Sequence, residues 1–244
     1  SWLGPVKVND IEASAREGLH AMTASDDGTL WCVWLDLRAK RTQLFASKSI
    51  DQGASWSKNQ LVYQSPDGSI CECCHPSVAT EGDSVHVLFR NSLKGNRDMY
   101  LVSSNNKGET FGLGERLGIQ HWSLNACPMD GGMLAIAPNG EVVTAWRRGN
   151  TVFTSIGKAK SDTMLENGEQ PWIASNPSGT YVVWLTKRDG QVRLAKLGTP
   201  NSTTIAENAR DPIVAVGDGN ESPVFVFWEQ RAGDRVSIEC QLVH

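Results

Sequence analysis

Five stretches of this chain repeat one pattern, and that repetition limits the fold more than any other feature. Each stretch holds a short strand, a turn with Gly or Asn, then an apolar strand that ends in an aromatic and polar residues. They read HAMTASDDGTLWCVWLD from His20, HPSVATEGDSVHVLFRN from His75, GGMLAIAPNGEVVTAWRR from Gly131, PWIASNPSGTYVVWLT from Pro171 and DPIVAVGDGNESPVFVFWE from Asp211. The aromatic near the end of the second strand is Trp34, Phe89, Trp146, Trp184 and Trp228. These lie about 38 to 57 residues apart, the range of propeller blades. A third strand follows each time: TQLFASKS, DMYLVSS, NTVFTSI, QVRLAKL and RVSIECQL. These are rich in apolar and β-branched residues, and several alternate as half-buried strands do. No segment carries a sustained helical period with caps, so helix should be scarce.

The pattern predicts an all-β fold, a single β-propeller domain over residues 1–244 with about five four-stranded blades. Six blades would need one further unit. A jelly roll or β-sandwich fits poorly, because the Trp residues recur at fixed places in two-strand units. The chain stops after the third strand of the fifth repeat and begins with GPVKVND. Val6-Lys7-Val8 is therefore expected to pair with the last blade, closing the ring and removing a sheet edge.

Composition narrows the partners. Hydrophobic residues make up 40% of the 244 and charged residues 20%, as in a globular domain. A net charge of −4 gives no electrostatic reason to expect nucleic acid. No apolar run approaches the roughly 20 residues that span a bilayer. The first residues, Ser1-Trp2-Leu3-Gly4-Pro5, show neither an initiating Met nor a leader pattern, which fits a processed product or a trimmed chain.

SIDQGASW, Ser49 to Trp56, places Ser, Asp, Gly, Ser and Trp at fixed offsets directly after a third strand, and SNNKGETF, Ser104 to Phe111, is a weaker copy with Asn106 in place of the Asp. Asp51 can accept hydrogen bonds from turn amides, Gly53 permits a positive φ, and Trp56 can plug between strands. The pattern resembles the Asp box, or bacterial neuraminidase repeat, of sialidases and other propellers. That resemblance implies a turn between third and fourth strands, a marker of fold rather than of catalysis. CECCHPSVA from Cys71, followed by NACPMDGG from Asn125, is similar to a group of secreted bacterial sialidase-like proteins, which implies export, secreted or periplasmic. The Arg-Ile-Pro signature of sialidases is absent. None of Tyr63, Tyr100 and Tyr181 lies in a segment matching their nucleophile.

Propeller geometry would bring the connections before successive blades toward one mouth. Cys71, Cys73, Cys74 and His75 lie in one connection, and His121, Cys127 and Met129 in the next. His20, with Met22 nearby, takes the equivalent place in the first repeat. Thiolate, imidazole and thioether suit copper(I), and thiolate with imidazole suits zinc. In an oxidising compartment Cys127 would instead bond Cys71, Cys73 or Cys74. Free or redox-active thiols are the third reading. Cys71 and Cys74 have C-x-x-C spacing, but no helix N-terminus is expected beneath them to lower a thiol pKa. Cys32 and Cys240 lie inside strands and read as core residues.

A second set recurs at the end of each second strand: Asp36 and Arg38, Arg90 and Asn91, Arg147 and Arg148, Lys187 and Arg188, Glu229 and Arg231. Arginines facing one pocket would clamp a carboxylate or phosphate. Asp36 and Glu229 are candidate acid and base, or partners for the arginines. Trp122 offers a face for a sugar ring. The expectation is a monomer that binds an anionic, small-molecule or glycan ligand through Arg38, Arg90, Arg147, Arg231 and Trp122. The alternatives are a glycosidase using Asp36 and Glu229, and a copper or zinc protein using the sulfur and imidazole ligands.

Overall fold

The computed structural model describes residues 4–157, 161–219, 222–233 and 235–243. It is all-β, with no helix among the described residues, and its antiparallel sheets follow the β-propeller pattern. Two compact units divide the chain, Ser1–Gly131 and Gly132–His244.

The first unit holds two four-stranded sheets. One is β1 (Ala15–Ala24), β2 (Leu30–Asp36), β3 (Gln43–Ser49) and β4 (Gln60–Tyr63); the other is β5 (Ser77–Glu81), β6 (Ser84–Arg90), β7 (Met99–Ser104) and β8 (Glu115–Arg116). In β2 and β6 every residue after the first is buried. These strands are covered on both faces, which is why they read as continuous apolar runs rather than alternating ones. Trp31, Val33, Leu35, Leu44, Val87 and Phe89 form the centre of the shared core.

The second unit holds β9 (Met133–Ile136), β10 (Val142–Arg148), β11 (Thr151–Ile156) and β12 (Thr163–Asn167) in one sheet. A six-stranded sheet follows: β13 (Glu169–Asn176), β14 (Gly179–Leu185), β15 (Gly190–Lys196), β16 (Ser202–Val216), β17 (Val224–Ala232) and β18 (Arg235–Val243). All five repeats are present, but they occupy four sheets. The fourth and fifth share β16, whose first half pairs with β15 and whose second half pairs with β17. Left-handed φ at Asn208 and Asp211 (53° and 46°) and a register shift between Arg210 and Ile213 bend the strand without ending it. Asn and Asp tolerate that region better than most side chains.

The expected closing strand is not observed. Val6-Lys7-Val8 forms no strand, and among the described residues β18 pairs with β17 alone. Val8 instead packs beside Cys32, Trp34 and Phe45, and its carbonyl accepts a bond from Asn59 Nδ2 (2.9 Å). Asp10, bonded to Asn59 and to Arg38, pins the segment there. The position of Cys240 is also corrected. Cys32 is buried, but Cys240 lies on edge strand β18 and is exposed. The repeat aromatics Trp34, Phe89, Trp146, Trp184 and Trp228 are all buried, as their spacing predicts.

Both Asp-box segments form the same turn. Ser55 N–H donates to Asp51 Oδ1 (2.9 Å) and Gly53 N–H to Ser49 Oγ (2.8 Å). In the second copy Thr110 N–H donates to Asn106 Oδ1 (3.0 Å) and Gly108 N–H to Ser104 Oγ (3.0 Å). The amide oxygen of Asn106 thus stands in for a carboxylate oxygen.

Candidate functional site

Three irregular connections of the first unit meet: residues 64–76 before β5, 91–98 between β6 and β7, and 117–131 after β8. Backbone bonds fix them. Cys71 N–H donates to Arg90 O (2.9 Å), Asn91 N–H to Asp98 O (2.8 Å) and Arg97 N–H to Trp122 O (2.8 Å). Gly131 closes the contact, since a Cβ there would sit 2.7 Å from His75 Nδ1.

The sulfurs are sorted by this meeting. Cys73 bonds Cys127, with Cα atoms 6.4 Å apart, ordinary for a disulfide. Cys127 is exposed and Cys73 half-buried, while Cys71 and Cys74 are buried free thiols. Cys71 Sγ lies 3.1 Å from Cys74 Sγ and 3.8 Å from Cys73 Sγ. The three sulfurs of Cys71, Cys73 and Cys74 lie within 4.8 Å of one another, so they are the group able to approach a metal ion together. With Cys73 committed to Cys127, two free thiols remain as sulfur ligands, and a closed structural zinc site would need two further ligands beside them.

Cys71 and Cys74 are electrostatically unlike. A hydrogen bond from the Cys74 thiol, then the Cys73 amide and the charges of Arg97 and Arg90, outweigh burial and lower the Cys71 pKa to about 6. The same bond, together with burial, pushes the Cys74 thiol upward. No helix terminus is involved; a neighbouring thiol and two arginines supply the effect that sequence reasoning sought in a helix. Burial, and then the Arg90 charge, holds His75 below the usual imidazole range.

Arg90 is the hub. It is 1% exposed. Its Nε donates to Asp130 O (3.0 Å) and its Nη1 to Arg97 O (2.8 Å). Its guanidinium lies 5.0 Å from the centroid of the Trp122 ring, a cation–π contact. Trp122 is half-buried, and its N–H donates to Asp98 Oδ1 (2.8 Å). The other Asp98 oxygen pairs with Nδ1 of exposed His121. A buried carboxylate thus orients an exposed imidazole beside a partly open indole.

The other expected residues make local bonds of their own. Asp36 is 0% exposed. Its carboxylate accepts bonds from Trp34 Nε1 (2.8 Å), Ser14 Oγ (2.9 Å) and Arg38 Nε (2.9 Å). Burial would raise its pKa, but bonds led by those from Arg38 hold it low. Asp36 is therefore an anchor of its sheet rather than a reachable proton donor. Arg38 is spent on Asp36, Asp10 and Asn59 and stacks on Phe45. In the second unit Arg147 pairs with Glu169 (3.1 Å) and Arg231 with Glu229 (3.2 Å). Arg38, Arg147 and Arg231 thus each have a local carboxylate partner. His20 lies inside β1, opposite Trp34, rather than in a connection, and Met129 is 74% exposed at a left-handed φ of 48°. A separate cavity of about 250 Å³ lies at the Asp-box turns, lined by Trp31, Lys48, Lys107 and Asp27 among others.

Sequence reasoning missed Arg97, Asp98 and Asp130. Arg97 and Asp130 lie outside the recognisable strands and Asp98 only opens the DMYLVSS run, and the meeting of loops distant in sequence gives them a role.

The fold and this cluster define an all-β propeller-type protein with a sulfur-rich surface site. No family model matches the chain, and no curated protein does. Solved structures do. One of unknown function from Dyadobacter fermentans shares 12% identity at a TM-score of 0.65, covering 97% of this chain and 80% of its own. An α-L-arabinofuranosidase of Fusarium graminearum, bound to an iminosugar inhibitor, shares 11% at 0.58, covering 88% of this chain and 72% of its own. An α-L-arabinofuranosidase of Clostridium thermocellum shares 10% at 0.53, covering 92% of each. Identities this low establish the fold alone. No helix among the described residues is long and apolar enough to cross a membrane.

Proposed function

We propose that this chain is an exported, sialidase-like propeller protein that binds an anionic or carbohydrate ligand on the surface around Trp122. The observation that carries the reading is the Trp122 arrangement. A half-open indole is backed by the buried Arg90 cation, and beside it an exposed imidazole is held by a buried carboxylate. Stacking on an indole is how proteins take the apolar face of a sugar, and neighbouring His121 supplies a polar contact beside it. The reading treats residues 1–244 as one domain acting as a monomer. Secretion or a periplasmic location accords with the Cys73–Cys127 bond, since such bonds persist in oxidising compartments.

Calorimetric titration with a hexuronate oligosaccharide and a neutral arabino-oligosaccharide tests it. At least one probe should bind, and Trp122→Ala should weaken that binding by about ten-fold or more. Binding unchanged in Trp122→Ala, or no binding of either probe at millimolar concentration, would sink the proposal.

A glycosidase is the second reading, favoured by the fold shared with two arabinofuranosidases. A chromogenic panel of arabinofuranosides and sialosides tests it, with Glu229→Gln as the variant that should lose any turnover found. The copper or zinc reading has fewer sulfurs to draw on while Cys73 is bonded to Cys127.

A further inference from the structure

A disulfide at the surface lies against a buried pair of thiols. Cys127 faces solvent and Cys73 is half-covered, while Cys71 and Cys74 are each 1% exposed. Cys71 Sγ is 3.8 Å from the near sulfur of the disulfide and 3.1 Å from the other free thiol. It therefore stands between the only two partners a disulfide passing inward would need. We propose that the Cys-x-Cys-Cys segment is a thiol–disulfide relay, in which the surface bond Cys73–Cys127 and the buried thiols of Cys71 and Cys74 exchange one disulfide. The inference is independent of the carbohydrate reading.

The steps balance without an outside reagent. The Cys71 thiolate attacks Cys73 Sγ; the Cys71–Cys73 bond forms, the Cys73–Cys127 bond breaks, and Cys127 leaves as a thiolate that solvent protonates. Cys74 then gives up its proton and attacks Cys71 Sγ. The Cys71–Cys74 bond forms and Cys73 departs as a thiolate. One disulfide is present throughout; it has moved from the surface pair to the buried pair. The surface dithiol can next meet a low-molecular-weight disulfide. Cys127 attacks it, releasing one thiol, and Cys73 resolves the mixed disulfide, releasing a second. The protein then holds two disulfides, and one external disulfide has become two thiols.

The surroundings favour Cys71 as the first nucleophile. The Cys74 thiol donates to it, the Cys73 amide supports it, and Arg97 and Arg90 face it with positive charge. The Asp130 amide bonds Cys74. A thiol whose pKa lies near the ambient pH is close to the best attacking group in such exchange.

The test is alkylation of the folded protein with N-ethylmaleimide at pH 8, without reductant, followed by peptide mapping. Exposed Cys240 should label at once and serves as the reference. Cys127 should then label slowly, with loss of the Cys73–Cys127 link and retention of one disulfide within residues 71–74. Its rate should be independent of protein concentration. Cys71→Ser should slow labelling of Cys127 by about ten-fold or more. In a second arm, run on the Cys240→Ser chain so that no exposed free thiol takes part, one oxidised glutathione should be consumed and two reduced glutathione released per chain.

Labelling that goes first to Cys71 or Cys74 and leaves the surface link intact overturns the relay. So does labelling of Cys127 at a rate proportional to protein concentration. The wild-type measurements need no variant, so a Cys71→Ser chain that fails to fold leaves the proposal open to refutation.

Discussion

The units Ser1–Gly131 and Gly132–His244 are held together by different means. In the first, side chains tie irregular connections: two Asp-box turns, the Cys73–Cys127 bond, the Asp36 network and the Arg90 hub. In the second, strands run on with less interruption. β16 serves two repeats without a loop, and apolar cores gather on Trp184 and Trp228. The difference has a functional consequence. An irregular loop needs partners for its backbone polar groups, and the same partners hold reactive side chains in place. A unit made of direct strand connections has fewer such loops on which to build a site.

Four sets of substitutions would break or sharpen this contrast. The largest effect belongs to the second unit. Trp184 is 0% exposed and sits among Val143, Val182 and Ala195. Trp184→Ala should cost about 3–5 kcal/mol, seen as faster hydrogen exchange in β10, β11 and β14. If those strands keep their protection, apolar burial is not what holds the unit. Next comes the paired change Cys73→Ser with Cys127→Ser. The bond spans 54 residues of sequence, for which chain entropy sets a stabilisation of about 4 kcal/mol. Exchange should rise in residues 64–76 and 117–131. A chemical-denaturation midpoint that does not move would mean the connections are held by hydrogen bonds alone.

The two Asp boxes give a smaller and sharper comparison. Gly53 and Gly108 have φ of 86° and 70°. A Cβ on Gly53 would meet only Leu30 Cδ1 at 3.7 Å, whereas one on Gly108 would collide with the ring of buried Trp31. Gly53→Ala should therefore cost about 1 kcal/mol for its backbone alone. Gly108→Ala should cost about 2–3 kcal/mol, because overpacking is added. Equal losses in thermal unfolding would show that Trp31 yields freely.

The repeats, the buried aromatics and both Asp-box turns were legible in sequence because each depends on short-range pattern. Trp184 ends an apolar run, and Gly53 sits at a fixed offset from Asp51. The merging of two repeats through β16 was not legible. Asp211 opens the fifth repeat and Asn208 falls between the fourth and fifth, yet both bend one continuous strand. Nor was Val6-Lys7-Val8, whose alternation suits a strand but whose neighbours Asn9 and Asp10 bind the Arg38 network. In the site, the Cys motifs were visible and their pairing was not. Which thiol meets Cys127 depends on how three connections stack. The cation at each second strand was visible as well, and so were the neighbouring partners of Arg38 and Arg231, but the partner of Arg147, Glu169, lies at another point in sequence.

The smallest effect separates the Asp boxes by charge. Asp51 and Asn106 accept the same amide bond through Oδ1, but the Ser55 hydroxyl donates to Asp51 Oδ2 whereas Asn106 Nδ2 donates to the Thr110 hydroxyl, and only Asp51 titrates. Bonds from Ser55, first its hydroxyl and then its amide, and from Ser49 lower the Asp51 pKa from 3.8 to about 2. Its folded pKa is depressed, so its contribution is complete above the unfolded value and is lost as pH falls through about 2. The denaturation midpoint should thus drop between pH 4 and pH 2, and Asp51→Asn should flatten part of that slope while changing little at pH 7. Buried Asp36 adds its own part to the slope and is untouched by this variant. The reverse change, Asn106→Asp, should steepen the slope by placing a titrating carboxylate among the same donors. If neither variant alters the acid limb, the carboxylate in the first box is interchangeable with an amide at every pH, and the two turns differ in name only.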